Sequence, residues 1–159
     1  MSIFPTRILL ATDGSREAQL AASTAADIAS STNSELHVLT VAPGNPDPVY
    51  HIHEGGLRYE TYQQALEAIQ GEAQKVLDEQ VQEIEGSGGS VKEAYLRVGE
   101  RRDQAVVHLA EELGAGLIVM GSRGLGGVRR ALMGSVSDSV VRHAHCPVMI
   151  VRPERERAE

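Results

Sequence analysis

The apolar positions of this chain follow two rhythms that take turns from one end to the other. One rhythm is the short unbroken run. "RILLAT" (7–12) closes on "DGS" and predicts a buried strand followed by a turn. "ELHVLTV" (35–41), "GLIVMG" (116–121) and "PVMIV" (147–151) have the same form. With the first run they read as near-continuous apolar segments, the pattern of strands covered on both faces. "VKEAYLRV" (91–98) alternates instead, with Ala94, Leu96 and Val98 on one side. It predicts a strand with one wetter face.

The other rhythm has helical spacing and fills the intervals. In residues 16–31, Ala18, Ala21, Ala22, Ala25, Ile28 and Ala29 recur at steps of three and four, behind Ser15 as a plausible N-cap. Small side chains on that face predict a helix packed close to a sheet. Residues 59–85 place Leu66, Ile69, Ala73, Val76, Leu77, Val81 and Ile84 on one stripe, and glutamates and glutamines fill the solvated face. Residues 101–113 predict a helix stopped by Gly114, and 135–144 a shorter one. The connection "APGNPDPVYHIHEGG" (42–56) carries proline and glycine throughout and reads as a loop.

The resulting order, βαβαβαβαβ, predicts an α/β fold in which helices cover both faces of a parallel sheet. The pattern contains no internal repeat and no linker. Residues 1–153 read as one domain and 154–159 as a charged, frayed tail. At 159 residues, the chain is long enough to bury a core without staples.

Composition narrows the function. The net charge is −7, against the basic surplus that phosphate neutralisation demands of a nucleic-acid binder. Phe4, Tyr50, Tyr59, Tyr62 and Tyr95 offer no platform for stacking bases along a strand. The opening "MSIFPTRILLATDGS" has only "ILLA" as an apolar run, too short for a leader core or a membrane span. Cys146 is the single cysteine, so no intramolecular disulfide forms. The expectation is a soluble, cytoplasmic protein with no nucleic-acid or membrane partner.

The segment "MGSRGLGGVRRALMGSVSDS" (120–139) is where chemistry gathers. Its glycines disfavour regular structure and allow backbone to pass close to a ligand. It leads into the helix at 135, whose free N–H groups and dipole make an anion site. Ser135 and Ser137 add hydroxyls, and Arg123, Arg129 and Arg130 add positive charge. In open parallel sheets, ligands sit beyond the carboxyl ends of the strands where the winding reverses. Asp13, after the first strand, falls at such an end. It is acceptor-only when ionised, which suits ribose hydroxyls or an adenine amino group. The segment is neither a Walker loop nor the dinucleotide fingerprint.

The spacing Gly121-x2-Gly124-x9-Gly134-Ser135 resembles the ATP-binding signature of the universal stress protein family. "RILLATDGS" is similar to that family's first strand and turn, and the likeness is weakest across 42–90. The resemblance implies a Rossmann-like, adenine nucleotide alpha hydrolase-like sheet of order 3-2-1-4-5 and frequent homodimers. It also implies ATP, with Mg²⁺ carried by the phosphates. Ala11, Thr12 and Asp13 would lie beside the nucleoside and Val41 would line the adenine pocket. Met120, Gly121 and Gly124 would border ribose and phosphates. Gly134, Ser135, Val136 and Ser137 would bind the phosphates. The function implied is nucleotide-dependent regulation through conformation or partner binding. Two alternatives stay open: a slow ATPase or phosphotransferase, and an interaction module taking AMP or cyclic AMP. No positioned base stands out for catalysis, since the nucleoside would occupy Asp13.

In the implied order the fifth strand, Val148 to Val151, is an apolar sheet edge. A second copy pairing there would complete it in a twofold dimer. His51 with His53, and His143, His145 and Cys146, invite a metal reading. The plainer reading places the latter histidines at a helix end, where they suit the dipole.

Overall fold

In a computed structural model, which describes residues 1–44, 59–122 and 133–154, both rhythms become elements. They run β1 (Arg7–Ala11), α1 (Arg16–Thr32), β2 (Glu35–Ala42), α2 (Tyr59–Gly86), β3 (Glu93–Val98), α3 (Arg102–Leu113), β4 (Leu117–Gly121), α4 (Ser135–His143) and β5 (Val148–Val151). The strands form one five-stranded sheet in the order β3-β2-β1-β4-β5, every neighbouring pair parallel. The predicted fold class and strand order hold.

Successive strand side chains point to opposite faces, so each strand feeds two cores. Ile8, Leu10, Leu36, Val38, Leu117 and Val119 pack with α1 and α2. Leu9, Leu39, Ile118 and Met120 pack with α3 and α4. Ala18, Ala21, Ala22, Ala25 and Ala29 form the buried face of α1. Leu77 and Ile84 of α2 complete that layer, each burial contributing about 1.5–3 kcal/mol. The helices stop where the chain turns left-handed: α1 at Asn33 (φ 55°) and α3 at Gly114 (φ 62°).

Both sheet edges are wetter than their sequences predict. β3 starts at Glu93 rather than residue 91, Ala94 is exposed, and Val98 is 39% exposed. The apolar run of β5 is only half-buried, with Met149 37% exposed. Each has a strand neighbour on one side only. Local hydrophobicity does not report that position.

Strand β1 lies between β2 and β4, so the winding reverses between β1 and β4. Their carboxyl ends border a crevice, the place where such sheets take ligands.

Candidate functional site

The turn after β1 is tied down residue by residue. Thr12 N donates to Leu39 O (2.9 Å), and Thr40 Oγ1 donates to Thr12 O (3.2 Å). Asp13 Oδ1 accepts from Ser15 N (2.9 Å), a side-chain-closed turn of the kind aspartate favours. Gly14 takes φ +77°, a left-handed conformation that glycine adopts without penalty. Ser15 caps α1 as predicted, its Oγ accepting from Ala18 N (3.2 Å).

Across the crevice, β4 runs into Gly121 and Ser122. Ser122 is 2% exposed and joins three elements. Its N donates to Val151 O (3.0 Å), and its O accepts from Gly134 N (2.7 Å) and Ser137 Oγ (3.0 Å). Gly134 is the N-cap of α4, with extended backbone and no side chain to cap the helix. Asp138 N donates to Gly134 O (3.0 Å), closing the first turn. The leading N–H groups of a helix lack partners within it, and at α4 no side chain among the described residues replaces them. Ser135 is exposed and Val136 half-buried at this end. Asp138 brings a negative charge into the first turn, which Arg142 offsets at 3.1 Å.

Between these ends the floor is apolar. Ala11 pairs in register with Leu39 on one side and Met120 on the other. Val41 packs at the margin of the same layer as Met120. The backbones of Gly44 and Gly99 meet just beyond β2 and β3, and Gly99 N donates to Ala42 O (3.1 Å). The site is therefore an apolar floor with a carboxylate on one wall and an uncapped helix on the other.

This arrangement has relatives. The chain matches the universal stress protein family over residues 5–152. It belongs to that family. A Staphylococcus haemolyticus protein named for the same family is 32% identical over 148 residues, covering 92% of this chain and 84% of its own. A solved universal stress protein in complex with cAMP is 27% identical, covers 94% of this chain and 98% of its own, and has a TM-score of 0.65. The Archaeoglobus fulgidus universal stress protein in complex with dAMP is 25% identical, covers 94% and 99%, and has a TM-score of 0.62.

In this universal stress protein the described candidate residues lie at one end of the sheet: Ala11 closes β1 with Thr12 and Asp13 in the turn after it, Val41 is in β2, Met120 and Gly121 close β4, and Gly134 caps α4, which Ser135, Val136 and Ser137 begin. Arg123 and Gly124 lie outside the described residues, as do Arg129, Arg130, His51 and His53. Two residues do more than their spacing suggests. Ser137 is 2% exposed and its hydroxyl proton is shared by Ser122 O and Gly134 O (3.1 Å), so it fixes the start of α4. A Cβ on Gly121 would stand 2.8 Å from Glu17 Cβ and 2.9 Å from the Glu17 carbonyl carbon, so its bare backbone lets α1 pack against β4.

Three contributors escape a reading of the sequence: Ser122, Glu17 and Gln80. Gln80, expected among the solvated glutamines of its helix, is 4% exposed and takes the Thr12 hydroxyl proton (2.8 Å).

The histidines near Cys146 are dispersed. His143 Nδ1 lies 2.8 Å from Ser139 O, and His145 Nε2 pairs with Glu111 (2.6 Å). Burial raises the Cys146 thiol above its ordinary value. Among the described residues no group of histidine, cysteine, aspartate and glutamate is placed to hold a metal. Among them, too, no helix is long and apolar enough to cross a membrane.

Proposed function

We propose that the protein is a nucleotide-binding regulator of the cytoplasm that holds ATP across the carboxyl ends of β1 and β4. Occupancy alters its conformation or its partner binding, through different affinities in the two states. The observation that carries this reading is the start of α4 without a side-chain cap, at the carboxyl end of the same β1–β4 pair that Asp13 follows. The donor set fits the ligand. N–H groups and the positive end of a helix dipole suit phosphate, and a carboxylate suits ribose hydroxyls or an adenine amino group.

In this reading Asp13 holds the nucleoside, beside Ala11 and Thr12. Val41 and Met120 line the adenine, and Gly121 and Gly124 border the ribose and phosphates. Gly134, Ser135 and Val136 bind phosphate, and Ser137 keeps them in place. Arg123 supplies positive charge. Mg²⁺ is carried by the phosphates and neutralises them. The half-buried edge β5, with Met149 exposed, pairs with its copy in a homodimer.

A second reading has a specific support. The two solved relatives above are complexes of monophosphates, cAMP and dAMP. A site of that kind would take AMP or cyclic AMP and serve as an interaction module. The decisive experiment is acid extraction and mass spectrometry of the purified protein, followed by titration with ATP, ADP, AMP and cAMP. Co-purified ATP, or ATP as the tightest ligand, supports the first reading. Preference for a monophosphate selects the second, and no binding by any of the four removes both.

A further inference from the structure

Helix α2 buries Leu77 and Ile84 in the core against the sheet, with Val76 and Val81 half-buried beside them, and residue 80 shares that stripe by helical spacing. An aliphatic residue would serve there. The chain instead places glutamine, 4% exposed. A buried amide costs stability unless its polar atoms are bonded, so its partners carry the explanation.

Gln80 Nε2 faces Glu83 Oε2 at 3.4 Å, and Gln80 Oε1 faces Thr12 Oγ1 at 2.8 Å. A carboxylate only accepts, so the amide nitrogen belongs on the Glu83 side and the carbonyl on the Thr12 side. The Thr12 hydroxyl therefore donates its only proton to Gln80. Its oxygen is left to accept from Gly14 N (3.3 Å). A second link lies beside the first. Val76 packs over Gly14, where an added Cβ would stand 3.1 Å from Val76 Cγ1. Strand β2 holds the main chain of Thr12 through Leu39 O and Thr40 Oγ1. Only α2 holds its side chain among the described bonds to other elements.

We propose that Gln80 is a positioning residue for the nucleotide site. It touches no ligand, but it orients Thr12 and, through the turn that Thr12 begins, the Asp13 carboxylate one residue on. The link runs both ways: a ligand that tightens the turn also tightens α2. This inference rests on the proposed nucleotide-binding reading and adds a helix that the glycine signature does not include.

The test is a double-mutant cycle of Gln80→Met and Thr12→Val. Affinity for the tightest of ATP, ADP, AMP and cAMP is measured at a temperature where every variant is folded. Methionine keeps the length of the side chain, and valine keeps the shape of threonine. Each single variant should bind about tenfold more weakly, and the double variant no more weakly than either, because both remove the same bond. Replacing both partners by apolar groups of like shape is nearly neutral for stability, so the double variant supplies a folded protein if a single one fails. A residue that only stabilises the fold would lower the melting temperature and leave affinity untouched. Affinity of Gln80→Met within about twofold of wild type overturns the inference and leaves the nucleotide reading standing. A wild-type protein that binds none of the four overturns both.

Discussion

Helices α1 and α4 open at the same end of the sheet, yet among the described residues side chains take the first backbone donors only at α1. At α1 the protein uses them itself: Ser15 N goes to Asp13 Oδ1 and Ala18 N to Ser15 Oγ. At α4 the N-cap is glycine, with no side chain to accept. A glycine in place of a capping side chain forgoes only a few tenths of a kcal/mol. The contrast teaches that one wall is closed by its own side chains and the other keeps backbone donors that no described side chain takes, the end to which the proposed reading assigns phosphate. Ser122 O takes the Gly134 N–H and Ser137 Oγ bonds the Gly134 carbonyl, which holds this end still, and no described side chain covers the donors that follow.

The largest expected effect comes from forcing the two walls apart. Gly121→Val puts a branched side chain where a Cβ alone would press on the Glu17 backbone. We expect a loss of about 3 kcal/mol by urea or thermal denaturation, the upper part of the overpacking range. Gly71 is the control, since nothing stands within 4 Å of a Cβ added there. Gly71→Ala should raise stability by about 0.5–1 kcal/mol through helix propensity alone. If Gly121→Val proves as well tolerated, the close approach of α1 to β4 is not a constraint.

A subtler change separates turn from ligand on the finished wall. Asp13→Asn keeps an oxygen to accept from Ser15 N, so the turn survives while the charge is removed. The expected result is an unchanged melting temperature and nucleotide affinity about tenfold weaker, some 1.4 kcal/mol. A drop in melting temperature at full affinity would make Asp13 a turn residue and nothing more.

Much of this was legible before any coordinates. The strand and helix rhythms placed every element within a few residues, because a two-sided core demands them. The start of α4 at Ser135 and the capping by Ser15 followed from local backbone chemistry. What the sequence could not yield were facts about approach. Gly121 reads as room for a phosphate, and nothing in its spacing says that α1 comes within touching distance. Gln80 hides among the glutamines of α2, distinguished only by sharing a stripe with Val76 and Ile84. Ser137 reads as a phosphate donor because hydroxyls at helix starts suit anions, yet its burial and its bonds to Ser122 and Gly134 are tertiary facts. The exposure of β3 and β5 depends on sheet position, which apolar content does not encode.

The smallest expected effect concerns how the open helix is held from its outer side. Ser139, one turn into α4, donates to Asp103 Oδ2 of α3 at 2.7 Å, and Arg101 reaches the same oxygen at 2.8 Å. The Ser139 hydrogen bond, assisted by the Arg101 charge, holds the Asp103 carboxyl below its ordinary value despite partial burial. A lowered carboxyl favours the folded state once pH exceeds the unfolded value, and that contribution is lost as pH falls through the folded value. Ser139→Ala should let the carboxyl rise toward its ordinary range. Melting curves from about pH 6 down to about pH 3 should then show a gap between wild type and variant that is widest at the upper end and narrows with acid. We expect that gap to stay below about 1 kcal/mol, because Arg101 still reaches the carboxylate from an exposed position. A gap of constant size across the range would mean that Ser139 contributes packing to α4 and no charge-assisted bond. Nucleotide affinity measured near neutral pH would then show whether the open end needs its anchor to α3 at all. If affinity survives the loss, Ser122 and Ser137 are sufficient to aim the donors. If it falls, the anion site extends its support through α4 to the start of α3.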